Sequence, residues 1–249
     1  MNSIITSPVL NDFTHAFTTR LGGVSNPPYD SFNFAIKWGD EKSAVCSNYS
    51  ILADLLHTKA PIYTSQQVHG NSIYQIRVDD TLESVQNIQA DALICYHPDA
   101  LVGVCTADCV PILIGVSGFA VAAVHAGWRG TLNKITMRTI ERLLLDGCRP
   151  LDIRVAMGPS ICLNCLEIGE EVASLFEVDF KNCVRRDVGI AKPHLDLKQC
   201  LMMQLQALSI QPEQVDINLA CTCCQKERFF SYRRSGSQTG QHLSCIGWH

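Results

Sequence analysis

Three side chains in this sequence have the chemistry of metal ligands, or of a nucleophile with its base. They are His69, which precedes Gly70; Cys109, which follows Asp108; and His125, which precedes Ala126-Gly127-Trp128-Arg129-Gly130. Two imidazoles and one thiolate are suitable zinc ligands, and three protein ligands leave a fourth position open for water or substrate. The spacing matches no short zinc motif, so the residues alone leave this metal site as a hypothesis.

The strands that position these side chains follow from the periodicity of the sequence. In the segment 119–125, strand alternation places every second residue on one face, with His125 at the end of the strand. Cys109 comes just before a second apolar segment, 110–114, so neighbouring strands would bring its thiolate and the imidazole to one rim. His69 lies in a predicted turn between two strands, which argues against burial in a core.

Apolar periodicity predicts the remaining elements. The predicted strands are residues 14–18, 62–66, 72–77, 90–94, 101–106, 111–115, 119–125, 153–157, 215–220, 229–232 and 243–246. The predicted helices cover residues 41–57, 131–146, 167–176 and 196–208, with Gly147 and Asp196 as caps of the second and fourth. Because residues 90–125 contain four predicted strands without a helix between them, the pattern favours a layered α+β fold over a doubly wound sheet.

The composition bounds the class of protein. The chain has 249 residues, 47% of them hydrophobic and 18% charged, and we predict a single domain over residues 1–249. A net charge of -4 argues against binding to a nucleic-acid backbone, which needs a concentrated basic surface. The apolar runs, such as residues 119–124, are far shorter than the roughly 20 residues of a membrane-spanning helix, so we expect no membrane partner.

The amino terminus and the cysteines bear on the compartment. The first residues show no basic region followed by a long apolar stretch, so we predict no secretory signal and a cytoplasmic location. In a cytoplasmic chain, the thirteen cysteines are better interpreted as buried small apolar residues, with a few acting as ligands or nucleophiles.

Blocks of sequence along nearly the whole chain resemble the laccase-domain family, once called multi-copper polyphenol oxidoreductases and later recognised as zinc-dependent purine nucleoside phosphorylases. The most specific blocks are Ala107-Asp108-Cys109 and His125-Ala126-Gly127-Trp128-Arg129-Gly130. The others follow in the family's order at residues 17–25, 31–33, 67–70, 90–92, 158–161, 221–222 and 229–234. The chain departs from the family at Gln241, where an arginine is common, and at residues 162–167, where glycine, proline and an aromatic residue are more usual.

The resemblance implies a fold, a cofactor and an activity. It implies that His69, Cys109 and His125 hold a zinc ion, in a layered sandwich of mixed β-sheets flanked by helices. It also implies phosphorolysis of adenosine, inosine, guanosine and related nucleosides such as methylthioadenosine to free base and ribose 1-phosphate, with adenosine deaminase activity. A purine nucleoside and phosphate would then be the partners, and we expect a monomer or homodimer.

Phosphorolysis requires an anion held against the sugar, and planar guanidinium groups suit phosphate. Arg20, Arg129 and the pair Arg233–Arg234 are the candidates, although each could instead be a solvated surface arginine. Our assignment gives catalytic roles to Cys109, His125 and Arg129, and substrate-binding roles to Arg20, Asn33 and Arg233. For the proton transfer of deamination, the candidates are Asp91, Asp108 and Glu167.

Two alternatives come from other classes of protein, and the first uses the same cysteine and histidine as the zinc site. A metal-free hydrolase could use Cys109 as nucleophile and His125 as base, on cell-wall precursors or another amide. A non-catalytic zinc protein could use the cysteine group Cys162, Cys165, Cys221, Cys223 and Cys224, although a core of this size scarcely needs a structural metal, and local packing is the favoured interpretation of this group.

The copper chemistry in the family's older name can be tested on the sequence. Multi-copper laccases build their copper clusters largely from His-x-His pairs. The eight histidines of this chain are scattered and form no such pair, which argues against a true laccase.

Overall fold

The computed structural model describes residues 2–187, 189 and 192–249. The strands are β1 (Ile4–Ile5), β2 (Phe13–Thr18), β3 (Ile62–Tyr63), β4 (Ile73–Gln75), β5 (Ala92–Cys95), β6 (Leu101–Thr106), β7 (Val110–Val116), β8 (Ala120–Ala126), β9 (Ile153–Met157), β10 (Val184–Arg185), β11 (His194–Leu195), β12 (Val215–Ile217) and β13 (His242–Trp248). The helices are α1 (Lys42–Leu55), α2 (Leu82–Gln86), α3 (Trp128–Leu132), α4 (Ile135–Leu145), α5 (Glu170–Phe180), α6 (Leu197–Ala207) and α7 (Tyr232–Ser235).

The larger strands form two mixed sheets. One has the order β1-β2-β13-β6-β3, and the other has the order β12-β9-β7-β8-β5-β4. Most neighbours are antiparallel, but β3 is parallel to β6, β12 to β9, and β4 to β5. The short strands β10 and β11 form a separate antiparallel pair. The predicted α+β fold with mixed sheets is therefore confirmed.

Side-chain alternation divides the core into layers. In β8, Val121 and Ala123 belong to an apolar cluster shared with β2, β6 and β13, whereas Ala122 and Val124 belong to a cluster shared with α4, α5 and α6. A third cluster joins the outer face of the first sheet to Leu52 of α1. The order of layers is helix, sheet, sheet, helix. Since His125 has the same parity as Val121 and Ala123, its side chain lies at the end of the layer between the sheets.

One predicted strand is wrong. Residues 229–232 form no strand; Phe229 and Phe230 are both buried in a loop, and α7 begins at Tyr232. Three of their backbone groups have partners other than a neighbouring strand. The Phe230 N–H donates to His242 Nε2 at 3.0 Å, Arg234 donates to the Phe229 carbonyl at 2.7 Å, and the Phe229 N–H donates to the Gln225 carbonyl at 3.0 Å. In the sequence, a pair of buried aromatic residues has the same apolar pattern as a buried strand, even where the backbone forms no hydrogen bonds to a neighbouring strand.

The predicted helices are recovered with different bounds. The predicted helix 131–146 is divided into α3 and α4 because Lys134 between them has a left-handed conformation, with φ of 60°. The predicted helix 167–176 begins later, at Glu170, and extends to Phe180. The predicted N-cap is confirmed, because the Asp196 carboxylate accepts the Gln199 N–H at 3.0 Å. The C-cap of α4 is Asp146, and Gly147 follows it with φ of 112°, the left-handed conformation common just after a helix. None of the helices formed by the described residues has the length and apolar character needed to cross a membrane.

Candidate metal centre

The three predicted ligands converge at one end of the layer between the sheets. Each of His69, Cys109 and His125 offers one nitrogen or sulfur atom, and these atoms lie within 4.8 Å of one another. The two imidazole rings are 4.7 Å apart between centroids and nearly perpendicular, at 81°. Strands β7 and β8 are antiparallel neighbours with Pro111 opposite His125, which brings Cys109 beside His125 as predicted.

His125 is held by Asp91, at the start of β5. The imidazole Nδ1 lies 2.7 Å from Asp91 Oδ1, and the His125 backbone N–H donates to the Asp91 carbonyl at 2.8 Å. Both side chains are buried, at 4% and 0% exposure. The carboxylate therefore accepts the Nδ1 proton and leaves Nε2 as the donor atom that faces Cys109 and His69.

The same carboxylate fixes the loop that carries His69. Asp91 Oδ1 accepts the His69 N–H at 3.0 Å, and Oδ2 accepts the N–H groups of Val68 and Gly70 at 3.2 and 2.7 Å. His69 itself is in the left-handed region, with φ of 60°. Three converging N–H groups stabilise this turn, so one buried carboxylate positions two of the three ligands.

Gln67 attaches the His69 loop to the first sheet. Its side-chain amide donates to the Cys105 carbonyl at 2.8 Å and accepts the Cys105 N–H at 2.7 Å. This two-way pairing with β6 fixes the loop on the side away from Asp91. The His69 imidazole is thus presented by a turn that is hydrogen-bonded to both sheets.

Cys109 is presented by a turn at Asp108, where φ is 104°. The Asp108 carboxylate accepts the Thr222 hydroxyl at 2.7 Å and the Arg233 backbone N–H at 2.6 Å, and its carbonyl accepts the Ile161 N–H at 2.9 Å. Both carboxylate oxygens of Asp108 are engaged in holding the turn. Its role is therefore to position Cys109 rather than to carry a proton.

Cys109 and His125 influence each other's protonation. Burial would raise the pKa of the Cys109 thiol, but the adjacent His125 and His69 imidazoles lower it to about 6. Burial would lower the pKa of His125, but the Cys109 thiolate and the Asp91 carboxylate raise it to about 9. The site favours a thiolate, which is the form that binds a metal or acts as a nucleophile.

The space around the donor atoms fits a metal ion. Gly127 follows β8 and caps the N-terminus of α3, and a Cβ atom at this position would lie 2.9 Å from Cys109 Sγ and 3.2 Å from His69 Cδ2. Glycine at this position therefore leaves the side chains of Cys109 and His69 undisturbed. One thiolate and two imidazoles are a donor set for a borderline transition metal, so the residues present fit such an ion.

The predicted substrate residues occupy different surroundings. The Arg129 guanidinium is exposed in α3 and lies over the Trp128 ring at 4.3 Å. In contrast, Arg20 forms a salt bridge with Asp30 at 3.0 Å and also donates to the Asp30 and Lys226 carbonyls. The positive charge of Arg20 is thus already paired with a carboxylate of the protein.

Asn33 and Arg233 are also engaged with the protein. Asn33 is fully buried, where its amide donates to the Ala35 carbonyl and to Asp40 and accepts the Gln241 N–H. The exposed Arg233 side chain donates to the Cys165 and Glu167 carbonyls, at 3.3 and 2.9 Å. The Arg233 backbone N–H donates to the side chain of Asp108, the residue that precedes the ligand Cys109.

Asp91 and Gln67 are the residues whose roles the sequence did not reveal. Asp91 was a candidate for proton transfer, yet its carboxylate is fully engaged with His125 and three backbone N–H groups. An isolated acidic residue in the apolar segment Ala90-Asp91-Ala92 is the sequence signal for such a buried positioning group. Glu167, another candidate, is 44% exposed and paired with Lys192.

The fold and the site together define an α+β protein in which three side chains that could hold a metal ion converge between two mixed sheets. The family described as multi-copper polyphenol oxidoreductase laccase matches residues 14–249. The chain belongs to this family.

Individual relatives align with this chain over nearly its full length. A protein of Deinococcus radiodurans named purine nucleoside phosphorylase is 34% identical over 236 residues, which cover 94% of this chain and 88% of that protein. A protein of an unknown prokaryotic organism, named adenosine deaminase RL5, is 36% identical over 244 residues, covering 93% of this chain and 92% of its own. The crystal structure of the hypothetical protein YfiH of Bacillus licheniformis, 26% identical, superposes with a TM-score of 0.92 over 100% of this chain and 97% of that one.

Proposed function

We propose that this protein is a zinc-dependent purine nucleoside phosphorylase with adenosine deaminase activity. The observation that carries the proposal is the convergence of His69, Cys109 and His125 within 4.8 Å, with Asp91 orienting both histidines. Curated relatives named purine nucleoside phosphorylase, among them one of Haemophilus influenzae at 37% identity over 93% of this chain, support the same activity.

The donor set supports zinc as the metal. A thiolate and two imidazoles suit zinc, and three protein ligands are typical of catalytic rather than structural zinc sites. When bound here, zinc would supply Lewis acidity and an open coordination position for water or a substrate atom. Asp91 fits the carboxylate partner that metal-binding histidines usually have, since it accepts the Nδ1 proton of His125.

Arg129 is the residue we assign to phosphate. In the part of the chain that the structure describes, Arg129 forms no salt bridge, and its exposed guanidinium lies over Trp128, two residues after Gly127 of the site. A stacked guanidinium retains all its N–H groups for an oxyanion, whereas Arg20 would first have to exchange its contacts with Asp30. Arg129 would thus hold phosphate against the anomeric carbon while the purine leaves, and positioning would supply most of the rate.

We assign Arg233 to substrate binding on the Cys109 side of the site, because its backbone N–H donates to Asp108, which precedes Cys109. Arg20 and Asn33 would contribute to substrate binding only by exchanging present hydrogen bonds for ligand contacts. Substitution of either residue therefore tests a different part of the proposal than substitution of Arg129.

The remaining parts of the proposal follow from the same assignment. Residues 1–249 would act as one catalytic domain, in the cytoplasm, as a monomer or homodimer. Phosphate would convert adenosine, inosine and guanosine to the free base and ribose 1-phosphate, and methylthioadenosine to adenine and 5-methylthioribose 1-phosphate. For adenosine, attack of water at the amino-bearing purine carbon would also release ammonia and give inosine.

A metal-free hydrolase is the second candidate, because one observation favours it. Cys109, His125 and Asp91 form a series in which the thiolate contacts an imidazole whose other nitrogen lies 2.7 Å from a carboxylate. This is the arrangement of a cysteine nucleophile with its base and orienting acid. His69 on the same thiolate has no role in that mechanism, which is why the metal assignment is favoured.

The test is to incubate metal-analysed protein with inosine, with and without phosphate, and to quantify hypoxanthine and ribose 1-phosphate. We expect both products in equal amounts only when phosphate is present, and we expect Cys109→Ala to lose metal and turnover together. Hypoxanthine and free ribose formed without phosphate would reject phosphorolysis. A metal-free protein that retains full activity would favour the Cys–His hydrolase.

A further inference from the structure

A second group of metal-binding side chains lies outside the proposed active centre. The Sγ atoms of Cys162, Cys165, Cys221 and Cys224 lie within 4.8 Å of one another. They come from two Cys-x-x-Cys segments, one after β9 and one after β12, and the sulfurs of Cys165 and Cys224 are 3.3 Å apart. Cys223, the fifth cysteine of the group, does not belong to the cluster.

We infer that these four cysteines bind a single tetrahedral zinc ion as a structural site, separate from the three-ligand centre. Two Cys-x-x-Cys segments that face each other are the usual ligand arrangement of four-thiolate zinc sites. Zinc–sulfur bonds of about 2.3 Å place tetrahedral sulfurs about 3.8 Å apart, which fits inside the observed spacing with small side-chain movements. An iron–sulfur cluster, with several ions between the thiolates, would need them farther apart.

The backbone around the cluster is arranged for thiolates. Cys221 Sγ accepts the backbone N–H groups of Cys162 and Cys224, at 3.3 and 3.4 Å. The two segments are joined by backbone hydrogen bonds from Ser160 N–H to the Ala220 carbonyl and from Thr222 N–H to the Ser160 carbonyl. Hydrogen bonds of this type fix the orientation of ligand sulfurs and distribute their charge.

Cationic side chains surround the cluster. Four thiolates and one Zn²⁺ carry a net charge of about -2, which needs nearby positive groups. Lys198 lies close enough to Cys162 and Cys221 to interact with their charges. Arg233 donates to the Cys165 carbonyl, and Arg234 donates to the Thr222 and Cys223 carbonyls. Positive side chains thus lie beside both cysteine segments, where they would offset part of this charge.

The proposed site would also stabilise the active centre indirectly. Thr222 lies between two of the cysteines, and its hydroxyl donates to Asp108, which presents Cys109. A metal that joins the two segments would hold Thr222 in place, so its loss should loosen the turn at Asp108 without removing a ligand of the first centre. The expected consequence is a lower Tm, with the three-ligand metal retained.

Metal analysis of purified variants tests this inference. Protein purified with zinc and a thiol reductant should contain two zinc ions per chain, and both Cys109→Ser and Cys165→Ser should contain one. Cys223→Ser is the matched control, since it removes a neighbouring thiol outside the cluster and should retain both. Cobalt-loaded Cys109→Ser should show the intense sulfur-to-cobalt charge-transfer bands of a four-thiolate site.

The outcomes separate this inference from the proposed activity. If Cys165→Ser does not fold, X-ray absorption of Cys109→Ser still decides, because it should show four sulfur neighbours at about 2.3 Å from zinc. Wild-type protein with a single zinc, and Cys109→Ser with none, would overturn the second site while leaving the first. A disulfide between Cys165 and Cys224 in the freshly purified protein, detected by mass spectrometry, would also overturn it.

Discussion

Replacement of Asp91 by asparagine removes one charge at the point where two metal ligands are held. Asp91 Oδ1 contacts the His69 N–H and His125 Nδ1, and Oδ2 accepts the N–H groups of Val68 and Gly70. An asparagine side chain is nearly the same size but has a single oxygen, so it can serve only one of these two pairs. The other pair would face an amide NH₂, which is a donor.

The magnitude follows from these contacts. If the oxygen serves His69 and His125, two backbone N–H groups lose their acceptor, at a cost of about 1–3 kcal/mol each in the free energy of unfolding. If it serves Val68 and Gly70, the NH₂ faces the His125 Nδ1–H and the imidazole must change tautomer or turn. In both orientations the carboxylate charge is lost, and metal affinity should fall by about 10- to 100-fold.

The assay is a competition titration with a chromophoric chelator, combined with urea unfolding of the metal-free protein. Asp80→Asn is the matched control, because Asp80 also organises a loop, by accepting the Arg77 N–H and the Tyr74 hydroxyl, but touches no ligand. That variant should lose stability while its metal dissociation constant stays unchanged. If Asp91→Asn binds metal as tightly as wild type, the reasoning on ligand orientation is refuted.

Three further predictions concern other parts of the molecule. Gly127→Ala should weaken metal binding by about 1–3 kcal/mol, because the added methyl group would press on the ligands. Gly169→Ala is the matched control, since Gly169 is also a helix N-cap with φ of -77°, and it should leave the metal affinity unchanged. Equal metal affinities of the two variants would contradict this steric effect. Arg129→Gln should raise the KM for phosphate about 10- to 100-fold, and an unchanged KM, as expected for the control Arg138→Gln, would remove Arg129 from the phosphate site. Burial lowers the pKa of His242 from 6.5 to about 3. Because the unfolded chain binds more protons than the folded protein in this range, the free energy of unfolding should decrease as the pH falls from about 6.5 toward 3. Urea unfolding should show a smaller decrease in His242→Gln.

The sequence predicted the layered fold because its strands are strongly periodic. The apolar segments around Cys109 and His125 become β7 and β8, which are neighbours in the sheet as expected. Local sequence patterns can predict that β7 and β8 are adjacent and that His125 lies at the end of a strand, but no more of the site than this. The approach of His69 from a distant turn followed from the family resemblance, because no periodicity connects it to β7 or β8.

What the sequence could not reveal depends on contacts between distant segments. Asp91 organises two ligand segments through hydrogen bonds that have no local signature. Phe229 and Phe230 have the apolar pattern of a strand, but their backbone partners are the side chains of His242 and Arg234 and the Gln225 carbonyl rather than a neighbouring strand. The sequence offers the cysteine group as a possible zinc site but favours local packing. The four sulfurs come together because β9 and β12 are parallel neighbours, which brings the segments that follow them to the same edge.

The proposed activity depends on one zinc ion held by His69, Cys109 and His125. An anomalous difference map, measured on both sides of the zinc absorption edge from crystals of metal-replete protein, tests it directly. We expect a peak bonded to Cys109 Sγ, His125 Nε2 and a ring nitrogen of His69, at about 2.0–2.3 Å. If the map shows these three side chains ordered and no peak between them, they do not form a zinc site.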